Sequence, residues 1–371
     1  MSPSDPSTHD RVRALVLRHG WNAAAYQLLN PGIAHWLAPG GEAVVGYAEA
    51  GRGPLARRGR MWIAAGGPVC AAASVEAVAD AFEAEASRHR ALVCWFGADA
   101  RLRGVRAGRR GYSEMTLGAQ PVWDPSRWEA VVRSKASLRA QLNRARNKGV
   151  AVRRWPSAQA REHPALRRLL RDWLGRRGLP TLHFLVEPDT LGALQDRLVL
   201  VAEQEGVPVG FSVLSPIPAR QGWLVEQIVR GSTAPNGTAA LLVGAAMRTA
   251  AEAGSRFVTL GLSPLSSHAP TEAGDPLWLR ALLGWMRAHG RRFYNFRGLD
   301  AFKSKFVPDR WDPITAIATM PKPSAGTLYA ITDAFAGPRT PARLLAGALV
   351  KAAKAEVAAG RRWLSGPGTR T

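Results

Sequence analysis

Strand-like and helix-like segments alternate through both halves of this chain, and that alternation restricts it to an α/β architecture. In the first half, a helix from Arg11 leads to Trp21, and strand-like runs come next at 42–49 and 60–69. Ser74 then caps SVEAVADAFEAEASRHR, a helical run acidic at its start and basic at its end, as the helix dipole prefers. ALVCWFGA reads as a buried strand, and YSEMTLGAQPVW closes the unit. The second half begins with a helix near Asp124 and repeats the pattern. GVAVRRW is a strand, 165–176 a basic helix, and LVLVAEQEGVPVGFSVLSPI a hairpin turning near Gly206. WLVEQIVR, a helix over 236–253, RFVTLGLSPL, a helix over 277–289 and WDPITAIATM complete it. At 371 residues two domains are expected. The pattern places them at 11–122 and 123–322, with a basic, helix-bearing tail at 323–371.

Charge narrows the partners. Lys and Arg number 50 against 28 acidic residues, leaving +22 and a pI near 11.3. Such a surface suits a polyanion, either nucleic acid or an anionic membrane face, although a proteome rich in Arg and Ala would account for part of the excess. No apolar run approaches the roughly 18 residues of a membrane span. The N-terminus has no secretory pattern, so a cytoplasmic location is expected, with attachment to the inner membrane face as an option. Cys70 and Cys94 sit in apolar runs without metal-ligand spacing, and the eight His residues form no ligand pair, so no metal is expected.

Three segments can carry chemistry. Arg133 to Arg154 holds eight basic residues and no acidic one. On a helix, Arg139 and Arg146 share one face and Arg144 and Lys148 another, while Leu138, Leu142 and Ala145 form an apolar stripe. Such a helix packs on one side and offers cations to phosphates on the other, although charge runs more often are simply solvated. Next, VEQIVRGSTAPNGTAALLV carries a strand through a glycine-containing turn into a helix, where unpaired N–H groups favour an anion. Its Gly231 and Gly237 are too sparse for the glycine-rich turn that holds coenzyme A, and Asn236 also serves as an ordinary cap. Third, YNFRGLDAFKSKFVPDRWDP interleaves Lys303 and Lys305 with aromatic rings, which suits a stacked, charged nucleotide end or, equally, a core edged by lysines. No catalytic triad, P-loop or paired-carboxylate motif is present.

In order, LLNPG, SLRAQLNRARNKG, GFSVLSP, VRGSTAPNGTAALLV, FVTLGLSPLS and YNFRGLDAFKSKFVPDRWDP resemble the cytosolic catalytic region of the bacterial lysylphosphatidylglycerol synthetases, also called phosphatidylglycerol lysyltransferases. The resemblance runs from about Trp21 to Met320. It implies tandem GCN5-related acetyltransferase-like (GNAT) domains, with mixed sheets flanked by helices. It also implies aminoacyl-tRNA as co-substrate, no separate cofactor, and a hydroxyl or amine acceptor such as phosphatidylglycerol. Arg230, Asn236, Lys303 and Lys305 match motif positions, and Gly237 and Asn295 lie within the same motifs as substrate contacts. The chain departs from the pattern in two ways. It carries no multi-helix membrane region, and Gln227 stands where the family has Asp, with Glu226 adjacent. That change bears on acceptor choice, amino-acid choice or activity itself.

The implied chemistry needs positioning, removal of the acceptor proton and stabilisation of an oxyanion, because an aminoacyl ester is already activated. Lys305 and Arg230 are the expected catalytic cations and Glu226 the expected proton acceptor. Gln227, Asn236, Gly237, Lys303 and Asn295 are expected to contact substrate. Arg139, Arg144, Arg146 and Lys148 would hold the tRNA backbone. The rival readings are a coenzyme A-dependent N-acyltransferase and a non-catalytic tRNA-binding module.

Overall fold

The computed structural model describes residues 6–50, 60–176, 183–269 and 296–336. The expected helix at 277–289, the helix of the C-terminal tail and Asn295 lie outside them.

The first half runs α1 (Pro6–His19), β1 (Ala34–Leu37), β2 (Val44–Ala50), β3 (Arg60–Ala65), α2 (Val75–Arg88), β4 (Ala91–Ala98), α3 (Ala100–Arg106) and β5 (Ser113–Trp123). Then come α4 (Trp128–Ser134), α5 (Ala136–Arg146), β6 (Val150–Trp155), α6 (Ser157–Glu162) and α7 (Pro164–Gly175). The chain continues through β7 (Leu198–Gln204), β8 (Val207–Ile217), β9 (Gly222–Arg230), α8 (Thr238–Glu252), β10 (Phe257–Thr259) and β11 (Ser263–Pro264). It ends, among the described residues, with α9 (Phe296–Ser304), β12 (Arg310–Ala318) and α10 (Ala325–Ala336).

Twelve strands form one sheet in the order β1-β2-β3-β4-β12-β5-β10-β9-β8-β7-β6, with β11 also on β5. Among the described strands only β3/β4 and β9/β10 pair in parallel. Each parallel pair is joined by a crossover helix, α2 in the first half and α8 in the second, as a parallel connection requires. Each half is thus an antiparallel meander leading into a β–α–β crossover. The last strand, β12, lies between β4 and β5, and β5 borders β10. The sheet therefore runs unbroken across residue 122, and the two halves exchange their final strands.

Periodicity explains the layers. In α2, Val75, Val78, Ala79, Phe82 and Ala86 fall on one stripe and bury against Trp62 and Trp95 of the sheet. The opposite face of this half is covered by Val12, Leu15 and Val16 of α1 and by Ala330 and Ala334 of α10. The stretch after Met320, expected to open a tail, thus begins with a helix in the core. In the second half, Leu138, Leu142 and Ala145 of α5 pack with α8 on one face, and Leu166 and Leu170 of α7 pack on the other. Mixed sheet and flanking helices are the expected α/β class. Cys70 and Cys94 are buried free thiols, and burial pushes them up to about 11 and about 12.

Candidate functional site

The site forms where β9 outruns its parallel partner. Leu224 pairs with Thr259, the last residue of β10, while β9 continues to Arg230. Past that point the partner strand's chain turns at Gly261 (φ +70) and joins β5 as β11. The strands part, and the segments beyond their two ends border the opening.

The turn after Arg230 is set by glycine. Gly237 has φ +99, and a Cβ there would lie 2.2 Å from the backbone oxygen of Gln141 on α5. Only glycine fits that conformation at that approach. Thr238 closes the turn by donating from its hydroxyl to the Pro235 carbonyl at 2.7 Å. Arg230 and Asn236 are both exposed here, and the guanidinium donates to Asn236 Oδ1 at 3.5 Å.

Lys305 reaches the same place from the end of α9. Its Nζ donates to Gln141 Oε1 at 3.1 Å and lies 4.3 Å and 4.8 Å from the ring centres of Phe302 and Phe306. Burial lowers its pKa. Gln141 therefore touches both pieces, its backbone at Gly237 and its side chain at Lys305. Sequence reasoning missed this residue. Its only signal is a central place in the acid-free helix, beside the buried Leu142.

Lys303 points elsewhere, as an offset of two positions on a helix requires. It is 4% exposed and donates to the carbonyls of Gly261 at 2.8 Å and Leu262 at 3.0 Å, pinning the chain where it leaves β10. Burial pulls its ammonium down to about 7, with Asp300 opposing. Asp300 itself accepts from the Ser266 hydroxyl at 2.9 Å and the Ser267 N–H at 3.1 Å, tying α9 to the segment after β11.

Glu226 and Gln227 lie apart from these cations. Val213 pairs with Gln227 and Leu214 with Val225, so Glu226 is the extra residue of a bulge. The bulge turns both side chains to the face opposite α8. There Arg197 donates to both Glu226 oxygens, at 3.0 Å and 3.2 Å, and the Ser215 hydroxyl donates to one of them. Arg197 is 2% and Glu226 10% exposed, so this is a closed ion pair and not a free base. Arg197 also lies over the Tyr26 ring of the first half at 4.9 Å. Gln227 is buried, accepting from Thr190 Oγ1 at 2.5 Å and donating toward the Pro188 carbonyl at 3.4 Å. Arg197, the partner of Glu226, sits in an irregular stretch and gives no sequence signal.

The expected tRNA contacts are exposed on α5 and just beyond it, as the apolar stripe requires. Arg144 and Lys148 point to solvent. Arg139 donates to the backbone oxygens of Val132 and Arg133 and so caps α4, while Arg146 donates to Asn143 Oδ1 at 3.4 Å. The α5 helix thus carries its cations beside the turn that opens α8. Among the described residues, no three metal-ligating side chains converge, and no helix is long and apolar enough to cross a membrane.

The fold has relatives among known proteins. The C-terminal domain of a lysylphosphatidylglycerol synthetase from Agrobacterium fabrum superposes with TM-score 0.74 at 22% identity, over 89% of this chain and 98% of that one. The lysylphosphatidylglycerol synthetase of Bacillus licheniformis gives 0.70 at 20% identity, over 89% and 95%. FemX gives 0.54 at 12% identity, over 87% and 98%, a likeness of fold alone. No curated protein matches the chain. The profile described as phosphatidylglycerol lysyltransferase, C-terminal, matches residues 7–316, and the chain belongs to that transferase family.

Proposed function

We propose that this protein transfers an aminoacyl group from charged tRNA to a hydroxyl or amine acceptor, with phosphatidylglycerol or another lipid as the leading class. One observation carries this reading. Arg230 bonds Asn236 across the turn opening α8, Gly237 of that turn packs on the Gln141 backbone, and Lys305 donates to the Gln141 side chain, on a helix without a single acidic residue.

In this reading the tRNA backbone lies along Arg144, Arg146 and Lys148, with Arg139 nearby, and the 3′ end reaches the turn. Asn236 and the backbone at Gly237 hold its terminal nucleotide. The acceptor oxygen or nitrogen adds to the ester carbonyl, and the bond to the ribose oxygen then breaks. The proton lost by the acceptor ends on the released tRNA hydroxyl. Lys305 and Arg230 offset the negative charge that builds on the carbonyl oxygen and the neighbouring phosphate. Half-burial strengthens Lys305 for that work, because the local dielectric is lower than water's. Lys303 shapes the acceptor side by fixing the backbone at Gly261 and Leu262. Glu226, closed by Arg197, holds the bulge that aims β9, and Gln227 lines the other face.

The test is transfer from a pool of radiolabelled aminoacyl-tRNAs into a lipid extract and, separately, into the water-soluble fraction. Label in a lipid, or in a water-soluble product other than the free amino acid, supports the reading and names the amino acid. Binding of tRNA indifferent to its charging, with no transfer, refutes it.

A further inference from the structure

The two halves differ at the entry to the crossover helix. In the second half, the helix ahead of the meander, α5, presses directly on the turn that opens the crossover helix α8. Space there is so short that a Cβ on Gly237 would meet Gln141 at 2.2 Å. In the first half α1 and α2 cover opposite faces of the sheet. Between the end of one and the start of the other lies a cavity of about 290 Å³.

Its size falls just below the roughly 300–1,000 Å³ usual for ligand sites. Arg18 and His19 from the end of α1, Pro39 and Glu42 from the β1–β2 turn, and Cys70 and Ser74 ahead of α2 line it. Alanines and Val78 complete an apolar wall.

The polar side is poorly satisfied from within. The Arg18 guanidinium lies 3.9 Å from Glu42, with the two side chains 66% and 81% exposed. An exposed pair of this kind contributes about 0–1 kcal/mol, so an anion in the cavity can replace Glu42 at small cost. The Ser74 side chain makes no capping bond to α2, which leaves its hydroxyl available. His19 has its pKa lowered by partial burial first and then by Arg18, so near neutrality its imidazole is uncharged and can donate one N–H. The Arg101 guanidinium, 4.2 Å over the Trp21 ring, adds positive charge near His19 and Cys70.

We propose that this cavity binds a small molecule bearing one carboxylate or phosphate and a short apolar body, its anion held by Arg18, His19 and Ser74. The site is separate from the transfer site and stands or falls independently of it.

Isothermal titration of the full chain with butyrate and, separately, with inorganic phosphate tests this. At least one probe should bind saturably at a single site. Arg18→Ala should weaken that binding about tenfold, and Ala38→Leu, which fills the cavity, should abolish it. Lys305→Ala should leave it unchanged, and the two cavity variants should leave aminoacyl transfer unchanged. Butyrate alone binding marks the ligand as a carboxylate, and phosphate alone marks it as a phosphate. No saturable heat from either probe, or binding that survives both cavity variants, overturns the proposal.

Discussion

The β3–α2–β4 and β9–α8–β10 crossovers share one topology and end in opposite states. Beyond the first parallel pair the chain turns at Gly66, Gly97 bulges in β4, both at positive φ, and side chains of this half close the opening. Asn22 sits so near Gly66 that a Cβ there would meet its amide at 2.4 Å. Trp21 stacks between Arg101 and Arg220, at 4.2 Å and 4.3 Å. Beyond the second pair β9 runs on to an exposed arginine, and the turn that follows it packs on Gln141, whose side chain accepts from the half-buried Lys305. The same scaffold thus plugs one opening with an aromatic ring and borders the other with cations. Topology alone does not locate chemistry; the side chains at the strand ends do.

Breaking the support of the second opening should have the largest effect. Glu226→Ala leaves Arg197 buried and unpaired, and a loss of about 3–5 kcal/mol is expected in a denaturant titration. Lys303 ranks next. Its pKa is lowered on folding from 10.5 to about 7, so holding its charge in the folded protein costs stability below that value. The cost lifts as the pH rises through about 7 toward 10.5, where only the unfolded chain still binds the proton. Stability should therefore climb over that window, and in Lys303→Met the climb should vanish.

Lys305→Ala should slow transfer about 10²–10³-fold, the usual loss for one group that stabilises an oxyanion. Arg101→Ala, at the plugged opening, should leave the rate alone. Glycines give a finer comparison. Gly237→Ala should cost roughly 1–3 kcal/mol for its positive φ, before any clash with Gln141. A Cβ on Gly67 would make only ordinary contact with Leu102 at 3.5 Å, so Gly67→Ala should stay within about 0.5 kcal/mol. Smallest of all, Lys148→Ala should lower the salt dependence of tRNA binding by about one phosphate contact.

Local pattern made much of this legible. ALVCWFGA is β4 residue for residue, and the stripe of Leu138, Leu142 and Ala145 is the buried face of α5. Periodicity encodes which side of an element meets the core, and the sequence carries that directly. It does not carry strand partners distant in the chain, so the place of β12 between β4 and β5 was hidden. RFVTLGLSPL reads as one strand, yet Gly261 at positive φ divides it into β10 and β11. The site was legible in its motif residues, Arg230, Asn236, Gly237 and Lys305. Gln141, which joins them, belongs to a helix more than 80 positions upstream of Arg230. Glu226 read as free because Arg197, 29 residues away, meets it only through the hairpin.

In the proposed function the cations at the second opening serve transfer from charged tRNA. The direct measurement compares wild type with Lys305→Ala in the radiolabelled aminoacyl-tRNA assay, with tRNA affinity measured in parallel. Label is expected in a lipid or in a water-soluble acceptor product for wild type, with its near loss in the variant at nearly unchanged affinity. Equal transfer by both proteins, or none by wild type that still binds tRNA whether or not it is charged, would contradict it.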